Sequence, residues 1–256
     1  MVKFSKANAK IEALESVPDL KEFLSGNKEV YSFDLLSGFS CPFANECLSK
    51  AVENNGRRTI KDGPNTKFRC FSASQEVQYT NVYNLRKQNF DTLKSIKTIS
   101  GMVSEIESNM PANLGICRIH VAGDFWSSKY FAAWINIATR NPGRLFYAYT
   151  KSIKYWVEFS KLGLIPSNLV LTASLGGRLD NLVAKYKLRT ARVVFSEQQA
   201  VDLGLEIDHT DEHAANPNTK DKDFALLIHG TMPKGSEAAA AIKELKKNKV
   251  KFSYSR

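Results

Sequence analysis

The sequence predicts an α/β fold in which repeated βα units build a parallel sheet, either a partial (β/α) barrel or an open doubly wound sheet. Three observations lead there. From residue 116 onward, short apolar runs alternate with amphipathic segments, and such alternation implies a parallel sheet covered on both sides. The units recur at roughly 25 residues, the length of a βα unit rather than a solenoid repeat. The chain has 256 residues and no evident linker, so a single core can form without disulfide staples. The expected organisation is one domain over residues 1–256. Residues 1–115 form a cysteine-loop and helical N-terminal part, and residues 116–256 carry the βα units.

The elements follow in order. The first 35 residues hold a helix around Ile11 to Glu15 and a short strand near Tyr31 to Leu35. Asn81 to Ile106 places apolar residues at helical spacing, as one helix or two, with a break near Gly101. Ile116 to Ala122 (ICRIHVA) is a β-rich run stopped by Gly123 and Asp124, and Ser128 to Thr139 is helical in pattern. Asn141-Pro142-Gly143 is a turn. Strands are expected at Leu145–Tyr149, Leu169–Ala173, Ala191–Phe195 and Phe224–Ile228, with a last one at Lys251–Tyr254. Helices are expected at Tyr155–Leu162, Leu179–Tyr186, Glu197–Leu203 and Ser236–Lys247, the last with Ser236 as N-cap. The polar stretch from His209 to Asp223 reads as a long loop over the strand ends, placed to act as a lid.

Composition narrows the function classes. Lys and Arg number 36 against 26 Asp and Glu, a net charge of +10, which permits a nucleic-acid or other polyanion partner. The densest run, Lys243 to Lys251, has the character of a helix end, where cations complement the dipole. No RNP-type motif or strong helix-turn-helix signature organises the charge. No apolar stretch approaches the roughly 18 residues of a membrane span, and the charged N-terminus lacks a signal-peptide core. A reducing cytoplasm is therefore expected, where cysteines serve as thiols or metal ligands.

The sharpest feature is SGFSCPFANECLSKA followed by KFRCFSAS. Cys41 and Cys47 stand in irregular backbone marked by Gly38, Pro42 and Asn45, and Cys70 and Cys117 follow. Backbone N–H groups of such a loop can stabilise sulfur's negative charge. Three ligand sets are open: four cysteines, three cysteines with one iron of a cluster left open, or two or three cysteines with a histidine around zinc. The bland reading is four buried thiols. A C-x5-C pair is not the C-x2-C of a zinc ribbon. Cys117 starts the 116–122 run, and seven strand residues put it roughly 23 Å from the run's far end. For a site at the carboxyl ends of the strands, Cys41, Cys47 and Cys70 are the expected ligands; Cys117 is core, or a fourth ligand only in a different geometry, and a histidine, substrate or small molecule is the other fourth.

The succession CPFANEC, CFSAS, RIHVAGDFWSSKYFAAW and YAYTKS resembles the phage gene-product-88 family, which shares CP-x-A-x-x-C, C-[YF]-A-like and H-x-[SA]-G-D-F-x-S-x-x-Y-x-x-x-W elements. The resemblance is close over about residues 38 to 155. It implies viral origin, and hence the cytoplasm of an infected host cell. The cysteine loop ahead of βα units is also similar in layout to radical-SAM proteins, but there is no C-x3-C-x2-C. ENNGRRTIKDGPNTKFR reads as an insertion between Cys47 and Cys70. With the resemblance included, an iron–sulfur cluster is expected, [4Fe-4S] foremost. S-adenosylmethionine is admitted as a further cofactor and zinc is the alternative.

Ligands of either architecture sit at the carboxyl ends of strands. Asp124 and Lys151 are the candidate catalytic residues there. Asp124 can bind substrate or a cationic group, and Lys151 can hold an anion. Candidate cofactor-binding residues are Gly123, where backbone can approach a ligand, Thr150, Ser174, Arg178 after the Gly176-Gly177 pair, and His229. His120 reads as a hydrogen-bonded core histidine. His209 and His213, with Asp208, Asp211 and Glu212, are expected on the same face as His229, where a second metal site is a lesser reading. No nucleophile elbow, P-loop, G-x-G-x-x-G or H-E-x-x-H appears. The leading expectation is an iron–sulfur protein performing redox or radical-type chemistry on a small-molecule or macromolecular substrate. The alternatives are a nucleic-acid-binding or DNA-processing protein with a structural zinc, and a metal-free scaffold.

Overall fold

The computed structural model describes residues 1–250; the strand expected at Lys251–Tyr254 lies outside them. The chain opens with Ser5–Lys6 (β1) and a short helix, Ala9–Glu12 (α1). Asn8 caps α1 by accepting from the amides of Lys10 and Ile11. Two 3-10 turns, Ala13–Ser16 and Pro18–Leu24, lead to Glu29–Phe33 (β2). The helix expected at Ile11–Glu15 is therefore shorter and earlier, because Pro18 and the turns before it take over.

After the cysteine loop comes a hairpin that sequence reading left as insertion: Ser49–Asn54 (β3) and Arg57–Asp62 (β4), fully paired antiparallel. Its tip, Asn55-Gly56, has φ of +50° and +76°, the conformation a two-residue hairpin turn demands. Three helices follow: Phe71–Gln78 (α2), Thr80–Ser95 (α3) and Ile99–Ser108 (α4). The break between α3 and α4 falls at residues 96–98, not at Gly101. Thr98 caps α4 by accepting from the Gly101 amide at 3.1 Å, so that glycine sits in the first turn.

The βα units then run Leu114–Ile119 (β5), Ser128–Arg140 (α5), Leu145–Thr150 (β6), Ile153–Lys161 (α6), Leu169–Ser174 (β7), Asp180–Tyr186 (α7), Thr190–Val194 (β8), Glu197–Asp202 (α8), Glu206–Ile207 (β9), Glu212–Ala215 (α9), Phe224–Leu227 (β10) and Glu237–Lys247 (α10). Ser236 accepts from the Ala239 amide, as its N-cap role requires. Among the described residues, one sheet has the order β1-β2-β5-β6-β7-β8-β10-β9, parallel throughout except at β1–β2. From β2 to β10 the order advances without reversal, as in an opened barrel, while both faces are covered as in a doubly wound sheet.

Strand alternation makes the two layers. Cys117, Ile119, Phe146, Ala148 and Leu171 pack against helix residues such as Phe90, Ile106 and Trp134. Ile116, Leu145, Tyr147 and Val170 face the other way, onto Ile11, Leu14, Leu20, Ala214 and Ala215. The second layer corrects the lid expectation. Residues 209–223 contain α9, with Asp211, Ala214 and Ala215 buried, so this stretch closes a face of the sheet instead of covering the strand ends.

Candidate functional site

The site is assembled where the loops after β2, β5, β6, β7 and β10 meet. Asp34, just past β2, accepts from the amides of Val121 (2.7 Å) and Ala122 (3.2 Å), and the Leu35 amide donates to Ala122 O at 2.9 Å. These bonds force β5 to end at Ile119 rather than run to Ala122. His120 lies beyond it at φ +70°, a conformation that non-glycine residues rarely adopt. The ring is buried, pairs through Nε2 with the Tyr130 hydroxyl at 3.0 Å, and burial holds it neutral, its pKa pushed down to about 3. Gly123 is at φ +96°, and a Cβ there would meet Ser40 Oγ at 2.6 Å and Leu35 Cβ at 2.8 Å. The cysteine loop therefore rests directly on Gly123.

That loop is fixed from its other side by the turn after β7. The Glu46 amide donates to Gly176 O (3.0 Å), the Arg178 amide donates to Phe43 O (2.9 Å), and Ala44 bridges Gly177. Asp180 in turn accepts from the Gly176 and Gly177 amides. The glycine pair is thus a dock for the cysteine loop, with its amides already bonded, and Arg178 contributes its backbone to it. Cys70 arrives through the segment after the hairpin. Lys67 and Phe68 donate their amides to Glu46 O, and Arg69 forks onto Asp62 through Nε at 3.1 and 2.9 Å.

Cys41, Cys47 and Cys70 come within electrostatic reach of one another. Burial pushes the Cys41 thiol well up, helped by the charges of Asp124, Cys70 and Cys47 and opposed by the Gly38 amide. Burial also pushes Cys47 up, with Lys151 opposing and Cys70 and Asp124 adding. Cys117 stands apart in the core, its thiol raised by burial and by Asp34 rather than by the other cysteines. Thiols in this state stay protonated at neutral pH until a cation takes them as thiolates. No group of three or more His, Cys, Asp or Glu side chains among the described residues is ready-formed around an ion.

Beside the thiols, Asp124 ties β5 to β6. Its Oδ1 accepts from Thr150 Oγ1 (2.6 Å) and the Phe125 amide (2.7 Å), and its Oδ2 from the Lys151 amide (2.8 Å). Burial raises its pKa to about 6 against those bonds. Lys151 Nζ donates to Ser174 O and Oγ, both at 2.9 Å, and to Leu175 O at 2.6 Å. Asp124, Thr150, Lys151 and Ser174 thus form one buried network. Its lysine is an oriented cation beside Cys47, not a free anion trap.

A cavity of about 180 Å³ opens next to Cys47 and Cys70, walled by Phe71, Val121, Arg118 and His229. His229 lies against the Phe71 ring at 4.6 Å, and burial pushes its pKa down to about 4. Under the cavity is a cluster that sequence reading missed. Asp211, fully buried at φ +61°, pairs with Lys10 at 2.7 Å and with Arg118, and accepts from the Tyr147 and Tyr149 hydroxyls at 3.0 and 3.2 Å. Burial opposes its ionisation, but Arg118 and Lys10 outweigh it and hold the carboxyl below its usual range. The available signal was Arg118 itself, a charge inside the apolar run ICRIHVA.

His213 does not join His229. Its carbonyl accepts from Arg189, ahead of β8, and its ring faces Phe224, the first residue of β10. It therefore sits at the amino edge of the sheet. There Asp208 (3.8 Å from Nδ1) and Glu206 (2.8 Å from Nε2) raise its pKa to about 9. The expected histidine face is split because the 209–223 stretch turns under the sheet.

No helix among the described residues is long and apolar enough to cross a membrane. No curated protein and no solved structure matches the chain. A family model described as gene product 88 matches residues 2–250, extending the motif resemblance to nearly the whole chain, and the protein belongs to that phage family.

Proposed function

We propose that Cys41, Cys47 and Cys70 hold an iron–sulfur cluster, [4Fe-4S] foremost, and that the protein uses it for redox or radical-type chemistry on a small-molecule or macromolecular substrate. One observation carries the reading. Three thiols from two segments of the chain lie within electrostatic reach of one another beside the carboxyl ends of the parallel sheet, while the fourth, Cys117, is left in the core. The donor set fits such a group, since thiolates are what it binds.

A bound cluster supplies a one-electron couple. The chain's own residues supply its surroundings. The Gly38 amide and the Lys151 ammonium favour negative charge on Cys41 and Cys47, the outer-shell role that tunes such centres. Asp124 holds the β5 and β6 ends in register beneath the loop. The neighbouring cavity, with Phe71 and Val121 in its wall, offers a water-poor place for a substrate. Three protein ligands leave one position of a four-iron cluster to a small molecule, of which S-adenosylmethionine is one candidate.

The test is metal and sulfide analysis of protein purified without oxygen. Brown protein with iron and sulfide, lost in Cys41→Ser, Cys47→Ser and Cys70→Ser but kept in Cys117→Ser, is expected. Colourless protein with neither element after anaerobic reconstitution refutes the proposal. Stoichiometric zinc in place of iron assigns the thiols to a structural metal instead.

A further inference from the structure

The β3–β4 hairpin stands on the cysteine loop, starting two residues after Cys47 and ending eight before Cys70. Its two faces differ in kind. On the inner face, Ala51 is buried, Ser49 donates to Asp62, and Arg58 donates to Glu76 O (2.9 Å) and Thr80 Oγ1 (2.6 Å) with its guanidinium over Tyr83. That face clamps the ribbon to α2 and α3. The other face pairs Lys50 with Lys61, Val52 with Thr59 and Asn54 with Arg57.

The outer face thus carries three cations and no carboxylate. Glu53 and Asp62 belong to the inner set. Among the described residues, Lys50, Arg57 and Lys61 enter no salt bridge. Lys50 and Lys61 are direct cross-strand neighbours, a like-charge placement that destabilises a ribbon by itself. Lys50 also leans over the exposed ring of Phe39 at 4.9 Å. Arg57 lies four residues along, about 14 Å away at strand rise. One strand of duplex DNA presents a phosphate about every 3.4 Å along its axis, so this span exceeds the step between neighbouring phosphates and the cations can meet more than one. No row of aromatics, as single-strand binding would need, accompanies the cations.

We infer that the outer face of the β3–β4 hairpin docks on the phosphate backbone of duplex DNA, through Lys50, Arg57 and Lys61. The contact is sequence-independent and salt-sensitive, and it delivers the cysteine site to the nucleic acid.

The test is anaerobic titration of a fluorescent duplex oligonucleotide with the full chain between about 50 and 200 mM salt. Wild-type protein should bind, with affinity falling linearly in log salt. The triple variant Lys50→Gln/Arg57→Gln/Lys61→Gln should lower that slope by about 2 to 3, at about 0.9 per phosphate contact. Lys61→Gln alone should lower it by about 1. Lys243→Gln/Lys246→Gln/Lys249→Gln removes the same charge from exposed positions around the end of α10 and should keep the wild-type slope. Equal losses in both triple variants, an unchanged slope in the hairpin variant, or no binding at the lowest salt overturns the inference. So does binding to phosphatidylserine vesicles without binding to the duplex. Iron content plays no part in this readout, so its outcome is separate from that of the cluster proposal.

Discussion

Replacing Asp124 by Asn and by Ala separates its charge from its hydrogen bonds. In metal-free protein its pKa is raised to about 6 by burial, against roughly 3.9 in an unfolded chain. The native state therefore binds the proton more tightly. Between about pH 4 and 6 native stability falls as pH rises, and above 6 the full cost of the buried charge is present. Linkage puts that cost at about 1 kcal/mol at pH 4.5 and about 3 kcal/mol at pH 7.5. Asp124→Asn lacks it, so its stability relative to wild type should improve by about 2 kcal/mol between those two pH values. The histidines titrating in the same window are common to both proteins and cancel in the difference. Asn also keeps an oxygen for Thr150 and the Phe125 amide, losing only the acceptor facing the Lys151 amide. Ala abandons all three donors. Each unmade buried bond costs about 1–3 kcal/mol, so Ala should be less stable than Asn by about 2 kcal/mol or more at either pH. Urea unfolding of the three proteins at pH 4.5 and 7.5, with m-values compared, measures both gaps. An Asn-minus-wild-type difference that ignores pH, or Asn and Ala equally unstable, refutes the reasoning.

Asp211→Ala withdraws the carboxylate between buried Lys10 and half-buried Arg118. It should lose about 3–5 kcal/mol in the same unfolding assay, and a loss under 1 kcal/mol contradicts this. Gly38→Ala forces a Cβ at φ +70° into the Ser49 carbonyl. A cost of at least about 1–3 kcal/mol is expected, together with weaker iron retention in anaerobic reconstitution, and a wild-type denaturation midpoint argues against the loop geometry. His213, raised to about 9 by Asp208 and Glu206, contributes stability that is full below its unfolded pKa near 6.5 and lost as pH rises through 9. The gap between wild type and His213→Gln should therefore be about 1 kcal/mol at pH 6, allowing for screening at exposed Glu206, and close by pH 10. A gap that widens with pH reverses the assignment.

Elements carried by local chemistry were legible in the chain. Ser236 caps α10, and the apolar runs at 145, 169 and 224 are strands. The candidate site residues Gly123, Asp124, Thr150, Lys151 and Ser174 could be named because strand ends of a parallel sheet converge. Cys117 could be set apart because it falls in an apolar run. The elements that were misread depend on distant partners. His120 could not be taken out of its strand, since Asp34, 87 residues from Val121, caps the amides that end it. The 209–223 stretch reads as solvated because its composition is polar, but Asp211 is drawn under the sheet by Lys10 and Arg118.

What the sequence determined by itself is the layer plan and the motif: apolar period, caps and turns act within a few residues, and their physics is local. Only the tertiary structure decided that Gly176 and Gly177 dock the cysteine loop rather than an anion. It likewise decided that Lys151 is committed to Ser174 and Leu175, and that the insertion is a ribbon with one bare cationic face. Those outcomes are set by which buried hydrogen bonds and charges find partners across the fold, and no local pattern in the chain records that pairing.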